Sequence, residues 1–212
     1  MSATVTAILP TWLSTGSRLT VDTMAESEAT AVDEDAELLL RVAAGDDSAM
    51  RPIVERWQGP LINFFYRSLR SVEASEDLAQ TVFVRVYRAA PKYEPRAKFS
   101  TFLFHIARRL LINEFRRQSR KPLETVDPAD LTGATEGREK LDLMEIEEAF
   151  ELALQTLPEN HRTAILLFKQ QEMSYEQIAE SMDASVTAVK SWIHRARQKL
   201  KEQLSDFYPN AS

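Results

Sequence analysis

Two groups of residues in this chain carry side chains suited to holding nucleic acid. Near the C-terminus, Thr187, Ser191, His194, Arg195 and Gln198 share the polar side of a segment with helical period, with Lys190 and Lys201 at its edge. Hydroxyl, imidazole and guanidinium groups can read base edges in a major groove, and lysines grip phosphates. Upstream, Lys92-Tyr93-Glu94-Pro95-Arg96-Ala97-Lys98-Phe99-Ser100-Thr101-Phe102 interleaves cations with rings. Rings stack on unstacked single-stranded bases while cations hold the backbone. For Tyr93 and Phe99 this reading and plain core packing are evenly matched. Catalytic and metal chemistry find little purchase. The three histidines lie far apart, cysteine is absent, and no Walker-type phosphate loop is present. No cofactor is expected.

Helices must position both groups. Ser174 is an N-cap and Gln177, three residues on, completes a capping box. Asp183-Ala184 forms a tight turn and Ser185 caps the next helix. At about 100° per residue, Val189, Trp192, Ile193, Ala196 and Leu200 fall opposite the polar side. Two capped helices around a short turn make a helix-turn-helix, whose second helix is shaped to enter the major groove. Taken alone, residues 186–200 would also suit an ordinary amphipathic surface helix. Further helices are predicted over Asp35–Ala44 (closed by Gly45), Asp47–Gln58, Leu61–Leu69, Ser75–Ala90 (capped by Ser75 and stopped by Pro91), Thr101–Arg117, Asp142–Thr156 and a segment after Leu157-Pro158. The Thr101–Arg117 helix aligns His105, Arg108, Arg109 and Arg116 on one stripe, with Leu103, Ile106, Ala107 and Leu110 roughly opposite. On the Ser75–Ala90 helix the outward side is Asp77, Gln80, Thr81, Val84 and Arg88. No stretch alternates as a strand does, so the chain is expected to be all-α.

Charge is segregated along the chain. Residues 61–121 hold 13 basic and 5 acidic groups, a net of +8, although the whole chain is −6. Residues 1–50 are −7 and residues 122–160 are −9. A basic block inside an acidic chain points to a localised polyanion site. Residues 122–141 are acidic, contain Pro122, Pro128, Gly133 and Gly137, and read as a flexible linker. No apolar run is long enough to span a bilayer, and the N-terminus lacks a basic segment before its short apolar stretch. A cytoplasmic protein without membrane insertion is expected.

Several segments, in order, resemble the extracytoplasmic-function (ECF) sigma factors of bacterial RNA polymerase, in the sigma-70 family. Ser75-Glu-Asp-Leu-Ala-Gln80-Thr-Val-Phe83 is similar to the helix of that family that binds the polymerase clamp. Lys98-Phe-Ser-Thr-Phe-Leu-Phe-His-Ile-Ala-Arg108 resembles its promoter-melting segment, and Asn113-Glu-Phe-Arg-Arg117 the end of that helix. Leu157-Pro158, Tyr175-Glu-Gln-Ile-Ala179 and Val189-Lys-Ser-Trp-Ile-His-Arg-Ala-Arg197 resemble region four, which reads the minus-thirty-five element. The resemblance covers roughly Asp35–Lys121 and Leu143–Leu204. It implies a region-two helical bundle over 33–121 and a region-four helix-turn-helix domain over 142–206, joined by the acidic linker 122–141. A disordered extension (1–32, with Met24 an alternative start) and a tail (207–212) flank them.

Residue by residue, the resemblance implies that Asp77, Gln80, Thr81, Val84 and Arg88 meet the clamp. Lys92, Tyr93, Lys98, Phe99 and Phe102 would capture unstacked bases near minus ten. Arg108, Arg109, Asn113 and Arg116 would hold the adjoining duplex. Ser185, Thr187, Lys190, Ser191, His194 and Arg195 would meet the minus-thirty-five duplex. Thr81 stands where the family commonly has an acidic residue, Asp183 where glycine is usual, and Phe102 where tryptophan is frequent. The partners implied are core RNA polymerase through its clamp and flap, promoter DNA and an anti-sigma factor. The alternative is a stand-alone helix-turn-helix transcription regulator. A nucleic-acid enzyme is a weaker rival, because the acidic residues crowd the linker instead of clustering as metal ligands.

Overall fold

The computed structural model describes residues 33–119 and 138–205. The expectations for residues 1–32, most of the linker and the tail lie outside them. The described residues form eight α-helices with no strand.

Helix α1 (Glu34–Ala43) opens on Asp33, whose carboxylate accepts from the Ala36 amide at 3.2 Å. Glu34, Asp35 and Glu37 in the first turn and Arg41 in the last suit the helix dipole. Asp35 is buried, yet fully engaged: it accepts from Arg56 at 2.8 Å and from the Trp57 indole at 3.0 Å. Gly45, at φ +96°, turns the chain out of α1.

Helix α2 (Met50–Leu69) corrects the expected pair of helices, because it runs unbroken through Gly59-Pro60. An interior proline costs about 3 kcal/mol. Ile53, Leu61, Phe64 and Phe65, all buried, lie on one stripe that spans the proline. Burying each such side chain contributes about 1.5–3 kcal/mol, so the stripe outweighs the break. Arg70, at φ 57°, ends the helix.

Helix α3 (Val72–Ala89) is capped by Ser71, not by Ser75. The Ser71 hydroxyl accepts from the Ala74 amide at 3.3 Å. Ser75 is buried one turn inside the helix, and its hydroxyl donates back to the Ser71 carbonyl. Helix α4 (Phe99–Gln118) follows a short loop and starts two residues earlier than expected. Phe64, Phe65, Phe99 and Phe104 are fully buried, with Trp57 set edge-on to Phe104 at 6.0 Å; these rings centre the first half of the molecule.

The second half comprises α5 (Arg138–Gln155), α6 (Glu159–Gln170), α7 (Tyr175–Ser181) and α8 (Val186–Gln203). Helix α5 takes in the last residues of the expected linker. Leu154, Ile165, Leu167, Ile178, Val189, Ile193 and Leu200 are buried among these helices. The halves also meet each other: α2 packs on α5 and α6, and α4 packs on α7.

Candidate nucleic-acid interface

Local chemistry fixes the helix-turn-helix as the sequence implies. The Ser174 hydroxyl accepts from the Gln177 amide at 3.2 Å, and the Gln177 side chain accepts from the Ser174 amide at 2.8 Å. Asp183 takes the left-handed conformation in the turn, φ 50°, which aspartate tolerates better than most residues. The Ser185 hydroxyl accepts from the Ala188 amide at 3.2 Å. One lone pair of its oxygen is therefore engaged in starting α8.

On α8, Val189, Ile193, Ala196 and Leu200 are buried and Trp192 is half-buried against the core. Thr187, Lys190, His194 and Arg195 are exposed, and Ser191 is half-buried. A further cluster flanks this face that sequence reasoning did not single out. Phe168 and Tyr175 stack at 5.1 Å with 11° between planes. Lys190 lies 5.4 Å from the Tyr175 ring, and Lys169 and Arg197 each lie 5.1 Å from the Phe168 ring. Burial, helped by neighbouring Arg197, pushes the Lys169 ammonium below its ordinary value. Burial also lowers His161, with Arg195 adding to the effect, so this imidazole favours its neutral form. Phe168-Lys169, just before the Ser174 cap, was the available signal.

The residues expected at the clamp share one face of α3. Asp77, Gln80, Val84 and Arg88 are exposed, and Thr81 is half-buried with its hydroxyl donating to the Asp77 carbonyl at 2.8 Å. Tyr87 belongs with them and was missed. Val84 is 48% and Tyr87 46% exposed, so both side chains are open to a partner on this face. The Tyr87 hydroxyl donates to Asp47 at 2.8 Å, and this bond raises its pKa.

The loop before α4 divides the expected base-capturing residues. Lys92 and Lys98 are exposed. Tyr93 and Phe102 are half-buried with ring centroids 5.0 Å apart. Burial, then the Asp33 charge, pushes the Tyr93 phenol up to about 12. Phe99 is a correction. Its side chain is 0% exposed, with ring contacts to Trp57 at 6.1 Å and Phe102 at 6.3 Å, so no base can stack on it in this arrangement. An aromatic residue at the first position of a helix ends up in the core because its amide is anchored there. Asp33, 66 positions earlier, accepts from the Phe99 amide at 2.5 Å. Lys98 offers no capping side chain. Asp33 therefore serves the first turns of both α1 and α4, a role no local pattern reveals.

Along α4, Arg109, Asn113 and Arg116 are exposed, while His105 and Arg108 are half-buried. Burial lowers the Arg108 pKa, opposed by the charges of Asp183 and Glu159. Neighbouring Arg117 is forked onto Glu114 at 2.7 Å. Three separate surfaces result: one face of α3, the loop with α4, and the outer face of α8.

Residues 53–121 match the sigma-70 region 2 family and residues 147–200 match sigma-70 region 4. The chain is 32% identical to the ECF RNA polymerase sigma factor SigW of Bacillus subtilis, over 78% of this chain and 94% of that one. It is 30% identical to the RNA polymerase sigma-H factor of Pseudomonas aeruginosa (81% and 94%) and 31% identical to the ECF RNA polymerase sigma-E factor of Escherichia coli K12 (79% and 92%). Its fold is similar to that of CnrH in complex with the cytosolic domain of CnrY, with a TM-score of 0.63 at 24% identity over 82% of this chain and 99% of that one. It is also similar to the sigma factor RpoE in complex with the anti-sigma factor NepR from Bartonella quintana, with a TM-score of 0.59 at 22% identity over 73% and 96%.

Proposed function

Since the chain belongs to the ECF sigma factors of the sigma-70 family, we propose how its surfaces divide the work of initiating transcription. It is an alternative sigma factor that directs RNA polymerase to promoters. The stand-alone regulator gives way, because a region 2 accompanies the region 4 on one chain.

On this reading the α3 face docks on the polymerase clamp through Asp77, Gln80, Thr81, Val84 and Arg88, with Tyr87 extending its apolar part. Lys92, Tyr93, Lys98 and Phe102 capture unstacked bases near minus ten; Phe99 holds their scaffold from inside. Arg108, Arg109, Asn113 and Arg116 bind the adjoining duplex. Thr187, Ser191, His194 and Arg195 read the minus-thirty-five duplex, and Lys190 grips phosphate, while Ser185 sets the start of the reading helix. Melting is driven by trapping unstacked bases and needs no fuel.

The partners are core polymerase through its clamp and flap, promoter DNA, and an anti-sigma factor of the kind that RpoE of Bartonella quintana has in NepR. The site of action is the cytoplasm, in keeping with the absence, among the described residues, of a helix long and apolar enough to cross a membrane. The observation that carries the assignment of roles is the exposed polar row on α8, set by a complete capping box and a left-handed turn. Footprinting of core polymerase with the full chain on a responsive promoter tests it. Two protected patches are expected, the upstream one lost on Arg195→Ala; an unchanged upstream patch would overturn that part.

A further inference from the structure

We infer that helix α1, which precedes the region 2 match at residues 53–121, braces the base-capturing loop, and that Asp33 is a positioning residue for promoter opening. This rests on the reading of that loop as the minus-ten contact.

The loop 93–98 runs from a 3-10 turn, Ala90–Lys92, to the first residue of α4. Both of its ends stand on α1. At the near end α1 packs on the 3-10 turn, where Ala90 is buried. At the far end Asp33 holds the Phe99 amide. The two oxygens of this one carboxylate do separate jobs. Oδ1 accepts from the Ala36 amide and starts α1, and Oδ2 accepts from the Phe99 amide and starts α4. Two helix N-termini, each carrying partial positive charge, thus converge on a single anion. Asp35, two residues on, accepts from the Trp57 indole at 3.0 Å, and the Trp57 ring lies 6.1 Å from that of Phe99. The first turn of α1 therefore grips Phe99 twice, at its amide directly and at its ring through Trp57.

Phe99 passes that placement on to the rings that meet bases. Its centroid is 6.3 Å from Phe102, and Phe102 is 5.0 Å from Tyr93. The Tyr93 hydroxyl is buried and has no hydrogen-bond partner among the described residues, so packing on Phe102 sets the position of its ring. Burial, and then the Asp33 charge, raises the pKa of this phenol, so the same carboxylate is felt at the loop itself. A base stacked on an aromatic ring gains about 5- to 150-fold in affinity, and that gain depends on where the ring stands. Asp33 is an anion and has no attraction for DNA; its part in opening is played through Phe99.

Holoenzyme assembled from core polymerase and the full chain tests this. The probe is a short fluorescent single strand from the non-template minus-ten region of a promoter mapped by run-off transcription, compared with the same strand carrying substituted minus-ten bases. Anisotropy gives the ratio of the two affinities, which a loss of folded protein does not change. Asp33→Asn keeps one acceptor oxygen for α1 but turns an amine toward the Phe99 amide. It should melt above Asp33→Ala, yet lower the ratio at least about fivefold. It should also slow opening, read by permanganate reactivity, at least about tenfold, as expected for one lost bond to a charged acceptor. Asp33→Ser, which also caps α1 but is one atom shorter, should behave alike. Charge alone predicts the opposite sign, since removing an anion beside DNA strengthens binding. Glu34→Gln removes a charge from the same turn without touching Phe99, and should leave both readouts at wild type. A wild-type ratio and opening rate in both Asp33 variants overturns the brace, as does an equal loss in Glu34→Gln. The parent reading fails in a different way. No holoenzyme with the wild-type chain defeats the sigma assignment, and equal binding of both strands by wild-type holoenzyme defeats the minus-ten role of the loop.

Discussion

Replacing Phe99 by alanine separates scaffold from base contact in the loop before α4. The Phe99 ring is 0% exposed and lies 6.1 Å from Trp57 and 6.3 Å from Phe102 in a cluster that includes Phe104. Truncating a fully buried phenylalanine to alanine costs about 3–5 kcal/mol, through lost transfer energy and the cavity left behind. For a helical unit of about 90 residues, each kcal/mol moves the melting temperature by about 4–8 °C, so a fall of about 12–40 °C is expected. Phe102, half-buried, should cost less stability when replaced, while its loss impairs opening. Circular dichroism melts of the full chain give the first quantity, and permanganate reactivity of the promoter bubble the second. If Phe99→Ala melts within about 1 kcal/mol of wild type yet abolishes permanganate reactivity, the ring is not core, and the division of labour between Phe99 and Phe102 is refuted.

Tyr93 gives a pH prediction. Its phenol titrates at about 12 in the folded chain and near 10 when unfolded, so the folded state holds this proton more tightly. That stabilisation is complete below pH 10 and is lost between 10 and about 12; Tyr93→Phe should flatten this limb of a stability-against-pH curve measured by urea denaturation. Asp33→Ala removes the caps of α1 and α4 together and should cost about 2–4 kcal/mol by denaturant titration, with Asp33→Asn recovering part; a loss below about 0.5 kcal/mol contradicts the double cap. Ser174→Ala should destabilise the helix-turn-helix half by about 1 kcal/mol in thermal melts. In binding assays with polymerase holoenzyme, Arg195→Ala should weaken the preferred upstream element by about 1–3 kcal/mol and relax its sequence, whereas Lys190→Ala should weaken all sequences alike and lower the salt slope by about 1.

What could be read from sequence was what local chemistry decides. The Ser174 capping box, the left-handed Asp183 and the Ser185 cap act over three or four residues, and each falls where the pattern puts it. Region-level function was legible for the same reason: the motifs are contiguous and ordered. Burial overrode local rules elsewhere. Gly59-Pro60 signals a break, but the stripe from Ile53 to Phe65 carries α2 through it. Ser75 has the composition of a cap, yet Ser71 takes the role because Arg70 turns the chain one helical turn earlier. Phe99 resembles half-buried Tyr93 and Phe102 in type, yet it is fully buried and its amide is anchored by Asp33. Contacts between the halves were illegible, since nothing near Asp183, Glu151 or Arg162 in sequence points to α4 or α2.

The central claim, that this chain directs polymerase to its own set of promoters, is tested most directly by adding it to core RNA polymerase on the genomic DNA of its source and sequencing the run-off transcripts. Discrete start sites absent from core enzyme alone, sharing two upstream motifs at constant spacing, are the expected result. A folded chain, free of any inhibitor, that neither binds core polymerase nor yields new starts would contradict it.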